Sequence, residues 1–569
     1  MTTLHERPGA TRAPLSMPAY TRTSDRLSHT TRYLCSAAFA VPGFADHVVG
    51  ELIGEMRRSV PPSHGFDLDP IVRQCFRVRR RDALQQFCAS VLLLIAFVLN
   101  PLVVLVAAFF GVLVRISRSA TLQQLLKRWR LGFLSWWIYW MLTASVVGLV
   151  YLLWKWVPHE LLDELVDAVG ADHPWPALVV LLGIVAVSYA FRRDDFRIIT
   201  TEFAPGAAHQ RRKMRDTMIE DRLAQIAAAQ RGNVVVHHED PFLGCGTIEQ
   251  AWSFAMTLRQ RDASGVRPEE PVAIDPVELN NRLKTAIENM RADWLDEGQQ
   301  VTGLSVRPYV VADGVRDEHD PVIDPVSRMP YTLADPGTVD TIVACPQGGL
   351  RQYLRVVVPV RGKAIRDGNG DVILDAQALG ISVSAFVHVA VEGGMLYAEF
   401  LGTIQAPLRD ECRLPDTLRP EKAGAYALGG VLRNAVVDVV AGPYRLAWSL
   451  RRAIRLRTRM HSSVRLAAEF RTHDYGATFS VRDLASAPGP DSFLQRLDGI
   501  KYVKLVDRIA GEAIIDYLVE KGVDPLEFRQ AINHITQENT NLFQIGTVSG
   551  GQNNFGGGGN TFNGGTTHA

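Results

Sequence analysis

The sequence predicts a membrane α-helical anchor, a helical hairpin plus two transmembrane helices, joined to a cytoplasmic α+β domain and a Gly/Asn-rich tail. Three observations carry this. Long apolar stretches crowd residues 87–191. Strand and helix patterns come mixed after residue 232, without βαβ regularity. A glycine-dense repeat closes the chain from Val548.

An apolar helix needs about 20 residues to cross a hydrocarbon core. Residues 131–154 supply 24 without a charge, with Trp136, Trp137, Tyr139 and Trp140 near one end and Tyr151, Trp154 and Trp156 at the other. Amphipathic rings favour both membrane interfaces. Residues 175–191 form a second, shorter span closed by Arg192 and Arg193. Residues 87–114 are broken by Asn100-Pro101, where proline removes a donor and clashes with the preceding turn. One kinked span and a hairpin with its tip there compete. Charge favours the hairpin. Arg73, Arg77, Arg79, Arg80 and Arg81 precede the stretch, and Arg115, Arg118, Lys127, Arg128 and Arg130 follow it. Residues 155–174 carry Glu160, Asp163, Glu164, Asp167 and Asp172 against Lys155 alone. Lysine and arginine mark the inner side, so both flanks of the hairpin lie inside and 155–174 outside. The expected location is the plasma membrane, multi-pass, with both termini cytoplasmic. No charge lies within the three stretches, which argues against an ion pathway.

The whole chain bounds the rest. Its 569 residues carry a net charge of +1, so no bulk field invites nucleic acid. Six scattered cysteines, none in a C-x-x-C pair, suit a reducing compartment. Residues 1–30 are polar, with no secretory h-region, and are expected to be disordered. A small helical cap is expected over 31–86, with Phe44, Val48, Val49, Leu52, Ile53 and Met56 at helical spacing,. Residues 192–231 read as a helical stalk and 232–540 as the α+β domain. Within the latter, strands are expected over 233–237, 252–258, 304–311 and 352–360. Residues 381–391 and 395–404 flank Glu392-Gly393-Gly394 as a hairpin. Helices are expected over 276–290, 417–459 and 491–521.

Candidate chemistry is sparse. Gly244-x-Gly246 lacks a third glycine and a Lys-Ser/Thr, so a turn outweighs a phosphate cradle. His237-His238-Glu239-Asp240 offers ligand-type side chains, but neighbours on a strand point to opposite faces. His319 sits among Asp313, Asp317, Glu318 and Asp320 in a loop of solvated charge. Residues 367–371 imitate a calcium loop, yet Val372 and Ala378 stand where Gly and Glu belong,. His473-Asp474 has no accompanying nucleophile signature. No catalytic residue, cofactor or metal ligand is assigned, and the reading leans away from an enzyme.

Residues 445–459, RLAWSLRRAIRLRTR, hold six arginines and no acid. Leu446, Ala447, Leu450, Ala453 and Ile454 share one helical face. Arg445, Arg451, Arg452, Arg455 and Arg459 are the candidate membrane-surface residues, since a basic amphipathic helix suits anionic headgroups. The competing account is a helix packed on the soluble domain with its basic face in water.

The tail (541–569) repeats every seven residues, led by Val548, Phe555 and Phe562, with Gly-Gly at the third and fourth places and Asn553 and Asn560 in register. Glycine at this density excludes a coiled coil. Asn and Gln can ladder between stacked identical chains, and aromatics can stack. The candidate assembly residues are Val548, Gln552, Asn553, Phe555, Asn560 and Phe562; the competing account is a flexible linker.

Two resemblances follow. The tail, from Ile545-Gly546-Thr547-Val548 through Gln552-Asn553-Asn554-Phe555-Gly556-Gly557, resembles bacterial amyloid signalling motifs, which template matching segments on partner proteins. The remainder, notably residues 33–35, 241–246 with Trp252-Ser253-Phe254, and 493–502, resembles an uncharacterised bacterial family of multi-pass membrane proteins. That likeness implies no assigned activity. The expected function is a membrane-anchored cytoplasmic scaffold or signalling protein. Its expected partners are the lipid bilayer and a second copy or a protein with a matching tail, with no nucleic acid. A membrane-bound enzyme or ligand sensor is the alternative.

Overall fold

The structure, a computed structural model, describes residues 14–117, 174–259 and 272–530, less 21–24, 210, 212, 296–298, 348, 363–364, 368–371 and 375–377. Leu15–Ser16 pairs antiparallel with Leu333–Ala334, and the Tyr20 hydroxyl donates to Asp67 at 3.2 Å. The disorder expected of residues 1–30 is thus corrected for the described part, which distant hydrogen bonds order. Helix α1 (His29–Ala40) opens at Ser28, whose hydroxyl accepts from the Thr31 amide,. Gly43, at φ 79°, separates it from α2 (Phe44–Leu52).

Helix α3 (Leu68–Leu99) runs unbroken for 32 residues. The expected boundary between a cap ending at 86 and a membrane block starting at 87 falls inside it. No glycine, and no proline after Pro70, interrupts this helix. It stops at Asn100, which is extended and accepts at Oδ1 from the Val103 amide at 3.1 Å. Pro101 then opens α4 (Pro101–Ser117), the position where a missing N–H costs least. Helix α5 (Pro174–Glu202) lies antiparallel to α3. Arg77 meets Glu202 at 2.6 Å, Arg81 meets Asp195 at 2.8 Å, and Ala89 and Ala96 cluster with Leu181 and Ile184. Both α3 and α5 are long and apolar enough to cross a membrane. Only 11% and 22% of their most apolar stretches are buried, unlike the core helices of a soluble domain. The expected span 131–154 and the acidic segment after it lie outside the described residues.

The stalk expected over 192–231 is corrected. Its first part is the end of α5, and its last part is α6 (Thr217–Ala229), which packs into the cap. Leu223, Ile226 and Ala229 join Leu34, Val48, Val72 and Ile199 in one core. Arg222, only 1% exposed, donates to the carbonyls of Leu52, Glu55 and Arg58, at and beyond the end of α2. A buried cation there satisfies orphan carbonyls.

The central sheet holds β1 (Val234–His237), β2 (Thr247–Thr257), β3 (Ser305–Asp313), β4 (Leu350–Arg361), β5 (Ala378–Glu392) and β6 (Met395–Gln405). Their spatial order is β1-β3-β4-β5-β6-β2, with β1 and β3 parallel and the other neighbours antiparallel. The mixed sheet with helices makes this an α+β domain, as the strand patterns predict. The β5–β6 turn is Gly393-Gly394, at φ 60° and 75°, the left-handed pair that a two-residue hairpin favours. Strand alternation sends Leu354, Val356, Val383, Val387, Leu396 and Phe400 to one face,. Two helices cover that face: α7 (Pro276–Glu288), after an Asp275 cap, and, after α8 (Pro336–Ala344) and the long α9 (Ala423–Glu469), the last one, α10 (Phe493–Glu520). A Cβ on Gly402 would stand 2.4 Å from Val503 Cγ1, so glycine lets α10 settle onto β6.

The domain expected over 232–540 does not hold together as one packed unit around the sheet, because α9 leaves it. Gly424 approaches Tyr189 and Arg193, and Tyr426 meets Phe196 edge-on at 5.0 Å. Gly442 lies against Ala89 of α3, and Arg452 binds Asp46, which also binds Arg79. A straight helix would separate residues 426 and 452 by about 39 Å. Both instead sit level with the arginines at the base of α3, so α9 bends back on itself between Gly430 and Gly442, beside Pro443. Proline frees a carbonyl one turn earlier and allows such a bend. Helix α4 packs mainly on α9, and Val104 and Val439 share the apolar cluster with Ala96 and Leu181.

Candidate functional site

The candidate site is the base of the apolar helices, where basic side chains gather. On α3, Arg73 binds Glu220 at 2.7 Å and Asp69 at 2.9 Å, while Arg79 binds Asp46 at 3.2 Å. Arg81 bridges Asp194 and Asp195, each at 2.8 Å. The arginines expected to mark the inner side of a membrane thus also tie α3 to α2, α5 and α6.

Helix α9 supplies the rest. Arg452 pairs with Asp46, and Arg459 with Glu55 at 2.8 Å and Glu51 at 3.3 Å. Arg445 pairs with Asp438 at 2.6 Å. The guanidinium groups of Arg451, Arg452 and Arg455 lie 5.8, 5.4 and 5.7 Å from the Trp448 ring, within cation–π range. The two accounts of this segment are both altered. Part of its basic face grips the acidic side of α2, and its apolar side is turned outward: Leu450 and Ile454 are 61% and 60% exposed. Asp46, Glu51 and Glu55 were not singled out by the sequence reading. The available signal was three acids close in sequence, two on α2 and one just past its end, against a basic helix.

Above this collar the outward surface is apolar. Leu94, Val98, Leu105, Trp175 and Leu182 are exposed. A contiguous apolar surface of this kind marks an interface.

The other sequence candidates separate. His237 turns to Asp313 at 3.7 Å and His238 to Asp474 at 2.8 Å, on different sides. His319 stands exposed beside Asp317. Among the described residues no three His, Cys, Asp or Glu side chains converge as metal ligands. Residues 368–371 lie outside the described set, but Ile365–Arg366 and Val372–Leu374 on either side pair antiparallel, as a hairpin turn requires. Gly244 and Gly246, at φ 85° and 93°, shape the β1–β2 loop. A Cβ on Gly246 would stand 2.2 Å from the Ile404 carbonyl oxygen, so these glycines serve close approach. Phe242 in that loop packs on Tyr353 and Phe386 at 5.3 and 4.5 Å. The assembly candidates Val548, Gln552, Asn553, Phe555, Asn560 and Phe562 lie outside the described residues.

The AbeC-like domain model matches residues 251–552, from within β2 through α9 and α10 and into the tail. The chain belongs to the AbeC-like family. No curated protein and no solved structure matches it. The AbeC-like region therefore includes both the sheet, apart from β1 and the first residues of β2, and the bent helix that joins the apolar bundle.

Proposed function

We propose that this AbeC-like protein is a multi-pass membrane scaffold or signalling protein. Helices α3, α4 and α5, with the bend of α9, sit in the bilayer and hold the α+β domain at its cytoplasmic side. The Gly/Asn-rich tail joins copies of the chain, or the chain and a partner with a matching segment. The observation that carries the reading is the outward apolar surface standing directly above a paired arginine collar. Lipid accommodates the first, and headgroups suit the edge of the second that no described carboxylate pairs with, Arg451 and Arg455 over Trp448,.

Two measurements test it on the full chain. Reporters fused at residue 165 and at the C-terminus should read outside and inside respectively; an external C-terminus ends the topology. Deleting residues 541–569 should leave the protein in the membrane and abolish its clustering; unchanged clustering ends the assembly role. A ligand sensor is the second reading, favoured by a polar cavity under the Phe242–Cys245 loop.

A further inference from the structure

The second face of the sheet sets a small aromatic cluster about Phe386 beside polar side chains, and the segment between α2 and α3 closes over the polar part. Between them, the β1–β2 loop and residues 479–482 bound a cavity of about 50 Å³. Two arginines line it. Arg355 on β4 is 5% exposed and Arg482 is 9% exposed. Among the described residues neither makes a direct ion pair with a carboxylate; Asp483 acts on Arg482 through space alone. Arg355 lies over the Tyr309 and Phe386 rings at 5.2 and 5.4 Å, and its Nη2 reaches Cys245 Sγ at 3.2 Å. Its Nε has no partner among the described residues. Arg482 Nη2 donates to the Ala406 and Gly380 carbonyls at 3.0 and 3.3 Å, while its Nη1 has no partner. The neighbouring acid, Asp483, accepts from the Gly244 amide at 2.9 Å.

Other groups on the wall fit the same pattern. His64 Nε2 is buried without a partner. Burial, then the charges of Arg355, Arg307 and Arg231, holds His64 well below the ordinary imidazole range, so it is neutral and adds no charge. Ser384 and Ser480 line the cavity as well. Gln405 Oε1 is an orphan acceptor, and its amide can present either end. The two guanidinium groups supply fixed N–H donors, while His64 and Gln405 can each present a donor or an acceptor,. A buried charge without a counterion is the costly arrangement.

We propose that this cavity binds one compact oxyanion of phosphate size, with Arg355 Nε and Arg482 Nη1 as its charged donors. Planar guanidinium groups suit oxyanions through directed, charge-assisted hydrogen bonds. The volume admits an inorganic oxyanion or the terminal group of a phosphomonoester. Leu52, the last residue of α2, and Leu68, the first of α3, line the same cavity. Occupancy therefore fastens the sheet to the base of the apolar helices. The proposal is independent of the tail and of membrane topology.

The test is equilibrium dialysis of the full-length protein in detergent against labelled inorganic phosphate, at ionic strength fixed with sodium chloride. One saturable equivalent per chain is expected, together with a melting temperature that rises with phosphate and not with matched chloride. Arg355→Gln and Arg482→Gln should each weaken binding at least tenfold. If either fails to fold, Arg355→Lys keeps the charge but loses the forked donors, and should weaken binding at least threefold. Competition by glycerol phosphate assigns the site to a phosphomonoester such as a lipid headgroup fragment; its failure assigns it to the free ion. No saturable binding, binding the variants leave unchanged, or displacement by matched chloride overturns the proposal.

Discussion

Glu220 accepts two hydrogen bonds from Arg73, at 2.7 and 2.8 Å. The first effect of that partner is to hold the Glu220 carboxyl down at about 2, against an ordinary value of 4.5. A carboxyl depressed in the folded state contributes stability that is present above the unfolded value and is lost as pH falls through the folded one. The window is therefore from about 4.5 down to about 2. Glu220→Gln should cost roughly 2 kcal/mol at pH 7, since Arg73 is left nearly buried without its main partner. Chemical denaturation at pH 7 and pH 3 checks this: the gap between wild type and variant should narrow at the lower pH. Other polar groups show burial at work in the opposite sense. Asp507 accepts from Trp252 Nε1 at 2.8 Å and Gln250 Nε2 at 2.7 Å, and its carboxyl is still raised because it is buried between α10, which carries it, and β2.

At the scale of elements, α9 decides how the molecule is joined. Its sequence reads as a helical region over 417–459 with a basic amphipathic segment at 445–459, and the structure sets it against the bundle as two arms. The first arm lies on α5 through Tyr426 and Phe196, and the second on α2 and α3 through Gly442, Arg452 and Arg459. A Cβ on Gly442 would stand 3.3 Å from the Ala89 Cβ, close to the spacing that a disulfide needs. The paired substitutions Ala89→Cys and Gly442→Cys should therefore cross-link on mild oxidation of the full chain, and neither alone should. Migration of the oxidised and reduced protein reads the result. The ion pairs between α9 and α2 are individually modest, each about 0.5–1 kcal/mol at this exposure. Their value is in fixing which way the helix turns: with its basic edge held by α2, Leu450 and Ile454 face out.

For the whole molecule the question is which solvent meets the apolar helices. Leu94 of α3 is 64% exposed and Val98 75%. In water, replacing an exposed leucine with aspartate changes stability little; at the centre of a bilayer it costs about 2.5–3.5 kcal/mol. Leu94→Asp should thus lower the membrane-inserted fraction, read by resistance to alkaline extraction. An unchanged fraction would mean that lipid does not cover this face. Much of the architecture was legible in short-range patterns. Alternation placed the strands, Gly393-Gly394 placed the hairpin, and Asn100-Pro101 marked the end of α3. What was not legible lay in pairings between residues far apart. Arg222 looked like part of a polar stalk, but its partners are carbonyls some 170 positions away in the chain. Arg355 looked like one charge on a strand; nothing local says that Tyr309, Phe386 and Cys245 enclose it without a carboxylate.

The sequence by itself determined where long apolar stretches lie, where strands alternate, and where a repeat begins, because each is a property of neighbours along the chain. Only the tertiary structure decided that α9 turns back beside the apolar helices, that α6 is core and not stalk, and that two buried guanidinium groups face one small cavity. Those outcomes depend on which distant surfaces meet, and on whether a buried charge finds a partner when they do. Neither is written in any local pattern of residues.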